Sequence, residues 1–304
     1  MNLKHVVESQ QFTVPLLMEL FDRTRQMEKI VARGGTQDFA RKVMASLFYE
    51  PSTRTRFSFE AAMYRLGGRV LSTEHARIFS SEIEGEQLED TIRIIAGYSD
   101  VIVLRHTEEG GARRAARVST VPVINAGDGR GGQHPTQALL DLYTIYRERR
   151  TLDGLTIAIV GELDRGRTAR SLAYLLSKFE RVKIHFVSPP EVQMSQDILD
   201  HLDEHDVWYD MVHDVAPIAG EVDVIYQTRI RPDRVEDRAS LDRYTINERL
   251  LRRMKPDAMI LHPLPRTVEI DKAVDDDPRA LYFKQTTNGL FIRMALLTLL
   301  WEHE

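Results

Sequence analysis

KVMASLFYEPSTRTRFSFE, residues 42–60, joins a run that reads as a buried strand to one that reads as a helix. Val43, Met44, Ala45, Leu47 and Phe48 form a nearly unbroken apolar stretch, the pattern of a strand covered on both faces. From Phe57 to Leu66 the chain is helix-like. At the handover stand Ser52, Thr53, Arg54, Thr55 and Arg56. A strand that passes directly into a helix through hydroxyls and arginines is the opening of an α/β unit.

The same alternation runs outward in both directions. Short apolar, β-branched runs recur at 69–72, 100–106 and 121–126, separated by helix-like stretches at 87–98, 112–118 and 136–149. The pattern restarts at 155–161 and continues through 182–188, 207–212, 222–227 and 258–263. Continuous apolar strands between amphipathic helices imply parallel sheets with helices on both faces. The predicted class is therefore α/β, with two doubly wound parallel-sheet domains that meet near the long helix beginning at His134. NGLFIRMALLTLLWEHE, residues 288–304, closes the chain as an apolar-faced helix.

Composition narrows the function. The 304 residues carry a formal charge of −5, with 42% hydrophobic and 29% charged residues, as expected of a globular protein in water. That charge argues against a nucleic-acid partner held by a broad basic surface. No apolar run reaches the ~20 residues of a membrane helix, and MNLKHVVESQQF lacks the apolar core of a signal peptide. There is no cysteine, so thiolate nucleophiles, disulfides and cysteine metal sites are excluded. A cytoplasmic location is the expectation that fits.

Open parallel sheets bind ligands beyond the carboxyl ends of their strands. Those ends here read PSTRTR (51–56), RH (105–106), NAGDGRGGQHPTQ (125–137), GELDRGRT (161–168), QTRIR (227–231) and HPLPR (262–266). Six polar tails on one edge predict a single anionic site between the two domains. PSTRTR reads in two ways: a helix capped by Ser52 or Thr53 with two solvated arginines, or an anion site built from free helix N–H groups and Arg54 and Thr55. Arg105 ends an otherwise apolar strand, and His106 reads equally as a strand end reaching solvent. His134 and Gln137 lie one turn apart on one helix face. The glycines of GDGRGGQ suit a hinge or a close ligand approach. GELDRGRT lacks both the dinucleotide fingerprint and the Walker lysine; Arg165 and Arg167 there could grip a carboxylate. Arg229 and Arg231 stand on a later tail, and Pro263 and Pro265 fix backbone carbonyls around Leu264.

Taken in order, STRTR, RH, HPTQ, G-x-L-x-x-G-R-T, TR and HPLPR resemble the aspartate carbamoyltransferase catalytic chains of the transcarbamylase family, over essentially the whole sequence. HPTQ and HPLP are similar to the aspartate rather than the ornithine branch. The resemblance implies a carbamoyl-phosphate domain of residues 1–133 to which the C-terminal helix 287–304 returns, and an aspartate domain of residues 134–286. It implies the small-molecule substrates carbamoyl phosphate and L-aspartate, no metal, no organic cofactor, and a homotrimer with shared active sites. Regulatory or dihydroorotase chains in a higher assembly are left open.

By match, Ser52, Thr53, Arg54, Thr55 and Arg105 would hold the phosphate. Thr55, Arg105 and His134 would polarise the carbonyl oxygen, while Gln137 and the backbone of Pro263 and Leu264 would hold the amino group. Arg167 and Arg229, with Arg231 and Leu264 beside them, would bind aspartate. Glu50 and Arg234 match a closed-state pair. The family's loop from a neighbouring subunit corresponds to FSSEIEGE (79–86), where Ser80 or Ser81 matches a serine but Glu84, with Glu82 nearby, replaces a lysine. Asp164-Arg165, Arg231 and GRGGQ also depart from the pattern. Three readings follow: an aspartate carbamoyltransferase with the missing cation supplied by Arg130, Arg165 or Arg231; a transcarbamylase for another amine gripped by Glu82 or Glu84; or a non-catalytic paralogue that binds carbamoyl phosphate.

Overall fold

A computed structural model describes residues 3–74, 86–236 and 238–301. The chain divides into one unit of Met1–Leu139 with Thr287–Glu304 and a second of Leu140–Thr286. Both divisions fall inside helices, so two continuous helices carry the chain from one unit to the other.

The first unit begins with helix α1 (Val14–Ala32), which the strand-and-helix pattern above leaves unassigned. Its signals are local: Thr13 at the N-cap accepts the Leu16 N–H, Pro15 sits in the first turn, and Gly34 and Gly35 at positive φ end it. The helix buries Leu16, Leu17, Leu20, Phe21 and Met27, a period that matches one helical face. Then follow β1 (Val43–Phe48), α2 (Thr53–Arg65), β2 (Arg69–Glu74), α3 (Leu88–Ala96), β3 (Val101–Arg105), α4 (Gly111–Val118) and β4 (Val123–Asn125). The strands form one parallel sheet in the order β2-β1-β3-β4. β1 and β3 are almost wholly buried, which is why their sequences show no alternation.

Helix α5 (Pro135–Arg149) leads into the second unit. There β5 (Thr156–Val160), α6 (Arg167–Leu176), β6 (Lys183–Val187), α7 (Gln196–Glu204), β7 (Trp208–Val212), β8 (Val224–Gln227), α8 (Glu248–Leu251) and β9 (Met259–Leu261) build a parallel sheet in the order β7-β6-β5-β8-β9. Helix α9 (Tyr282–Trp301) starts in this unit and ends in the first, six residues earlier than the sequence run suggests. The two-domain parallel α/β class expected above, with a returning terminal helix, is the fold observed.

Strand order decides where ligands go. In each sheet the chain reverses its direction of travel at one point, between β1 and β3 in the first and between β5 and β8 in the second. Loops leave such a switch point to opposite faces and open a crevice at the carboxyl ends. Those two pairs of loops are the tails that carry Arg54 with Arg105, and Arg167 with Arg229.

Candidate active site

At the first switch point the loop after β1 runs beside the end of β3: Phe48 pairs with Arg105, and the Tyr49 N–H donates to the Arg105 carbonyl at 2.9 Å. Ser52 occupies the N-cap of α2, but its hydroxyl accepts no backbone N–H. The first-turn N–H groups of Thr53, Arg54 and Thr55 lie outside the helix's own ladder, and no side chain caps them. An uncapped helix start presents donors and positive potential to an anion. Of the two capping readings, the structure favours the open one.

Arg54 and Arg56 separate cleanly. Arg56 is 3.5 Å from Glu60, 3.3 Å from the Ser72 hydroxyl and stacked over Phe57 at 4.9 Å, so it braces α2. Among the described residues Arg54 makes no ion pair. Its surface is open, yet desolvation lowers its pKa, as for a cation drawn partly out of water without a counter-charge. It stays protonated at any working pH. Thr55 is buried at the base of the turn, where its carbonyl accepts from Ser58, whose hydroxyl in turn accepts from Arg293 of α9.

Arg105 is 9% exposed, with Glu50 at 3.2 Å and the Ala126 carbonyl accepting at 3.2 Å. His106, which the sequence allowed to reach solvent, is buried instead: its Nδ1 accepts the Glu108 N–H at 3.1 Å and its ring meets Tyr49 edge-on at 5.0 Å. His134 and Gln137 are both buried where the β4 tail enters α5, with Thr136 Oγ1 at 3.4 Å from His134 Nδ1. The glycine-rich tail before them is packed rather than loose. Asp128 accepts the N–H groups of Gly110 and Ala112, and a Cβ on Gly129 would lie 2.2 Å from the Thr107 carbonyl. Arg130 is exposed.

At the second switch point the β5 and β8 tails are stitched together. The Thr228 N–H and hydroxyl donate to the Val160 carbonyl at 2.7 and 2.9 Å, and the Glu162 N–H donates to the Arg229 carbonyl at 3.3 Å. Arg167 is the first residue of α6, after Gly166 at an uncapped N-cap. Arg229 is exposed and makes no ion pair among the described residues. Arg231 lies at 3.3 Å from Glu162, and Arg234 bridges Glu162 and Asp164, with 2.7 Å to Asp164 Oδ2. These two carboxylates raise the pKa of Arg234, its hydrogen bonds to Asp164 being the largest cause. Arg231 is thus committed to a carboxylate of its own unit, and Arg165 is largely exposed with Asp164 at 3.8 Å.

The β9 tail turns sharply. Leu264 has φ +53°, and the Leu264–Pro265 peptide is cis. Arg266 is not free to bind ligand: it pairs with Asp275, donates to the Tyr282 hydroxyl at 3.1 Å and lies over that ring at 5.2 Å. Ser80, Ser81 and Glu84 lie outside the described residues. Among the described residues the group suited to share a metal ion is His201, Glu204 and His205, with ligand atoms within 4.8 Å of one another. None of the residues singled out from the sequence belongs to it. Sequence reading missed Glu162 and Asp164 as the partners of Arg231 and Arg234, because partners 69–72 residues apart leave no local pattern.

Comparison with known proteins fits these two half-sites. Residues 4–147 match the carbamoyl-P binding domain of aspartate/ornithine carbamoyltransferase, and residues 153–300 match its Asp/Orn binding domain. A chloroplastic aspartate carbamoyltransferase of Arabidopsis thaliana is 54% identical over 98% of this chain and 78% of its own length. The aspartate carbamoyltransferase catalytic subunit of Methanocaldococcus jannaschii is 45% identical over 99% and 98%. A crystal structure of that organism's catalytic subunit superposes with a TM-score of 0.90, at 44% identity and 98% coverage of both chains. The Trypanosoma cruzi enzyme in complex with N-(phosphonacetyl)-L-aspartic acid gives 0.91 at 37% identity, covering 97% and 95%. With both of its domains matched and its nearly full length shared, the chain belongs to the aspartate/ornithine carbamoyltransferase family, among the aspartate carbamoyltransferase catalytic chains.

Proposed function

We propose that this chain transfers the carbamoyl group of carbamoyl phosphate to the amine of L-aspartate, releasing phosphate and N-carbamoyl-L-aspartate for de novo pyrimidine synthesis. The observation that carries it is the uncapped start of α2 with Arg54 unpaired among the described residues, beside Arg105 at the switch point of the first sheet. That is an anion site open to a phosphate. Ser52, Thr53, Arg54, Thr55 and Arg105 take the phosphate oxygens. Thr55, Arg105 and His134 donate to the carbonyl oxygen, and Gln137 with the backbone of Pro263 and Leu264 accepts from the amino group. Arg167 and Arg229 take the aspartate carboxylates.

In the reaction the aspartate nitrogen forms a bond to the carbamoyl carbon, charge grows on the carbonyl oxygen, and the carbon–oxygen bond to phosphate breaks. The departing phosphate accepts the amine proton. Donors fixed beforehand around that oxygen stabilise the charge without reorganising, and holding two anions in register removes the entropy of their encounter. Glu50 now sits on Arg105, and Arg234 on Glu162 and Asp164. Phosphate binding competes with Glu50 for Arg105, which would release Glu50. Arg231, paired with Glu162, plays a supporting rather than a direct part.

The proposal includes a homotrimer with shared sites and a cytoplasmic location. Light scattering tests the first, and a mass other than that of three chains would overturn it. For the second, the plant relatives are named chloroplastic, and fractionation of the source cells tests it. No described helix is long and apolar enough to cross a membrane. The test of function is incubation with carbamoyl phosphate and a panel of amines, following phosphate and ureido product together. Aspartate-dependent product is expected. Product only with another amine would support the second acceptor reading, which Glu84 favours, and no product at all would overturn catalysis.

A further inference from the structure

The turn that carries Pro263 and Leu264 is held by a buried pair that no step above uses. The Leu264 N–H donates to His262 Nδ1 at 2.7 Å. An N–H can only donate, so Nδ1 must be the unprotonated nitrogen of a neutral ring. The ring proton then sits on Nε2, which faces Glu269 Oε1 at 3.0 Å. The other Glu269 oxygen accepts the Thr267 N–H at 3.0 Å and hydroxyl at 2.7 Å. His262 and Glu269 are 1% and 4% exposed, so water does not compete. From the other side, the His262 N–H donates to Gln285 Oε1 at 2.9 Å. Gln285 donates to Asp141 at 2.6 Å, and the Tyr226 hydroxyl donates to the same carboxylate at 2.7 Å. Each donor points one way because each carboxylate can only accept.

Such a chain matters here because Leu264 occupies the left-handed region at φ +53°, which strains a non-glycine residue unless its surroundings hold it. We propose that His262 and Glu269 are positioning residues: Glu269 sets the tautomer of His262, and His262 holds the Leu264 amide so that the turn's carbonyls stay in place for the reacting carbamoyl group. The proposal rests on the carbamoyl-transfer reading for its consequence, though not for its geometry.

Glu269→Gln tests it. An amide has one oxygen where the carboxylate has two, so its NH2 must face either the Thr267 donors or His262 Nε2. The first unclips the turn; the second reverses the tautomer and sets a ring N–H against the Leu264 N–H. The expected result is a fall in kcat of about 10–100-fold, the scale of an ångström-level misplacement, with inorganic phosphate still raising the thermal midpoint as in the wild type. His262→Ala should fall at least as far. His262→Asn, whose side-chain oxygen lies near the Nδ1 position, should recover about tenfold over His262→Ala. Nitrogen-15 NMR of the histidine-labelled wild-type chain should show His262 neutral with its proton on Nε2. Wild-type kcat in Glu269→Gln, no recovery by His262→Asn, or a proton on Nδ1 would each overturn the proposal. Should the variants fail to fold, the wild-type tautomer alone decides. Absence of carbamoyl-aspartate from the wild type would sink the functional reading, and the tautomer would still be read separately.

Discussion

Gly161→Ala is the sharpest perturbation that the second half-site offers. Gly161 directly follows β5 at φ +135°, and a Cβ there would lie 2.1 Å from the Thr228 hydroxyl and 2.7 Å from the Thr228 carbonyl oxygen. The hydroxyl can rotate away. The carbonyl cannot, because the Thr228 N–H is fixed to Val160 at 2.7 Å. An ordinary contact begins near 3.4 Å, so the Thr228 backbone must retreat by 3.4 − 2.7 = 0.7 Å. Arg229 follows directly and moves with it. A displacement approaching an ångström at a positioning residue costs up to about 10²-fold in rate, or about 2.7 kcal/mol at 1.36 kcal/mol per decade. The positive φ adds about 1–3 kcal/mol of destabilisation. Gly154→Ala is the control: φ is +70° but nothing lies within 4 Å, so stability falls by about 1 kcal/mol and turnover stays unchanged. The assay is aspartate-dependent ureido product at saturating carbamoyl phosphate, beside urea unfolding of both variants. Equal kcat/KM for aspartate in Gly161→Ala and the wild type would refute the placement of Arg229 as a substrate ligand.

Arg54→Ala should raise the KM for carbamoyl phosphate and lower kcat/KM by about 10²–10³, the scale of a lost charge-stabilising donor, whereas Arg56→Ala removes a surface brace worth under about 1 kcal/mol and leaves kinetics intact; steady-state rates and thermal midpoints distinguish them. Glu269 supplies a pH signature. Burial raises its pKa, but hydrogen bonds from His262 and Thr267 prevail and depress it from 4.5 to about 2. A depressed carboxylate binds fewer protons folded than unfolded, so its stabilisation is complete above about pH 4.5 and lost as pH falls towards 2. The loss is on the order of 3 kcal/mol. Unfolding free energies from pH 6 to 2 should fall more steeply in the wild type than in Glu269→Gln, and parallel slopes would contradict the assignment.

Most strands were legible because they are buried apolar runs ended by turn residues, a pattern that neighbours along the chain suffice to write, whereas β2 and β7, at the sheet edges, are largely exposed. The sequence order of the tails likewise exposed Arg54, Arg105, Arg167 and Arg229, since strand ends are where parallel sheets keep their polar groups. Helix α1 was also written locally, in Thr13, Pro15 and the paired glycines, and went unread because no strand precedes it. What no stretch of chain reveals is which charges cancel. Arg56 and Arg54 are two residues apart and identical in type; Arg56 has Glu60 one turn along the helix, but Ser72, which meets it from β2, is out of reach of any local pattern. Arg231 looks like a substrate ligand, and Arg234 like the closed-state partner of Glu50, until Glu162 and Asp164 arrive from the tail of another strand. His262 looks like part of a motif until Glu269 assigns its proton. Composition and period determine which residues go inside, because burial depends on each side chain's own affinity for water. Whether a cation is spent on a neighbour or kept for a ligand depends on distances of about 3 Å, and the folded arrangement of helices, strands and their tails decides those.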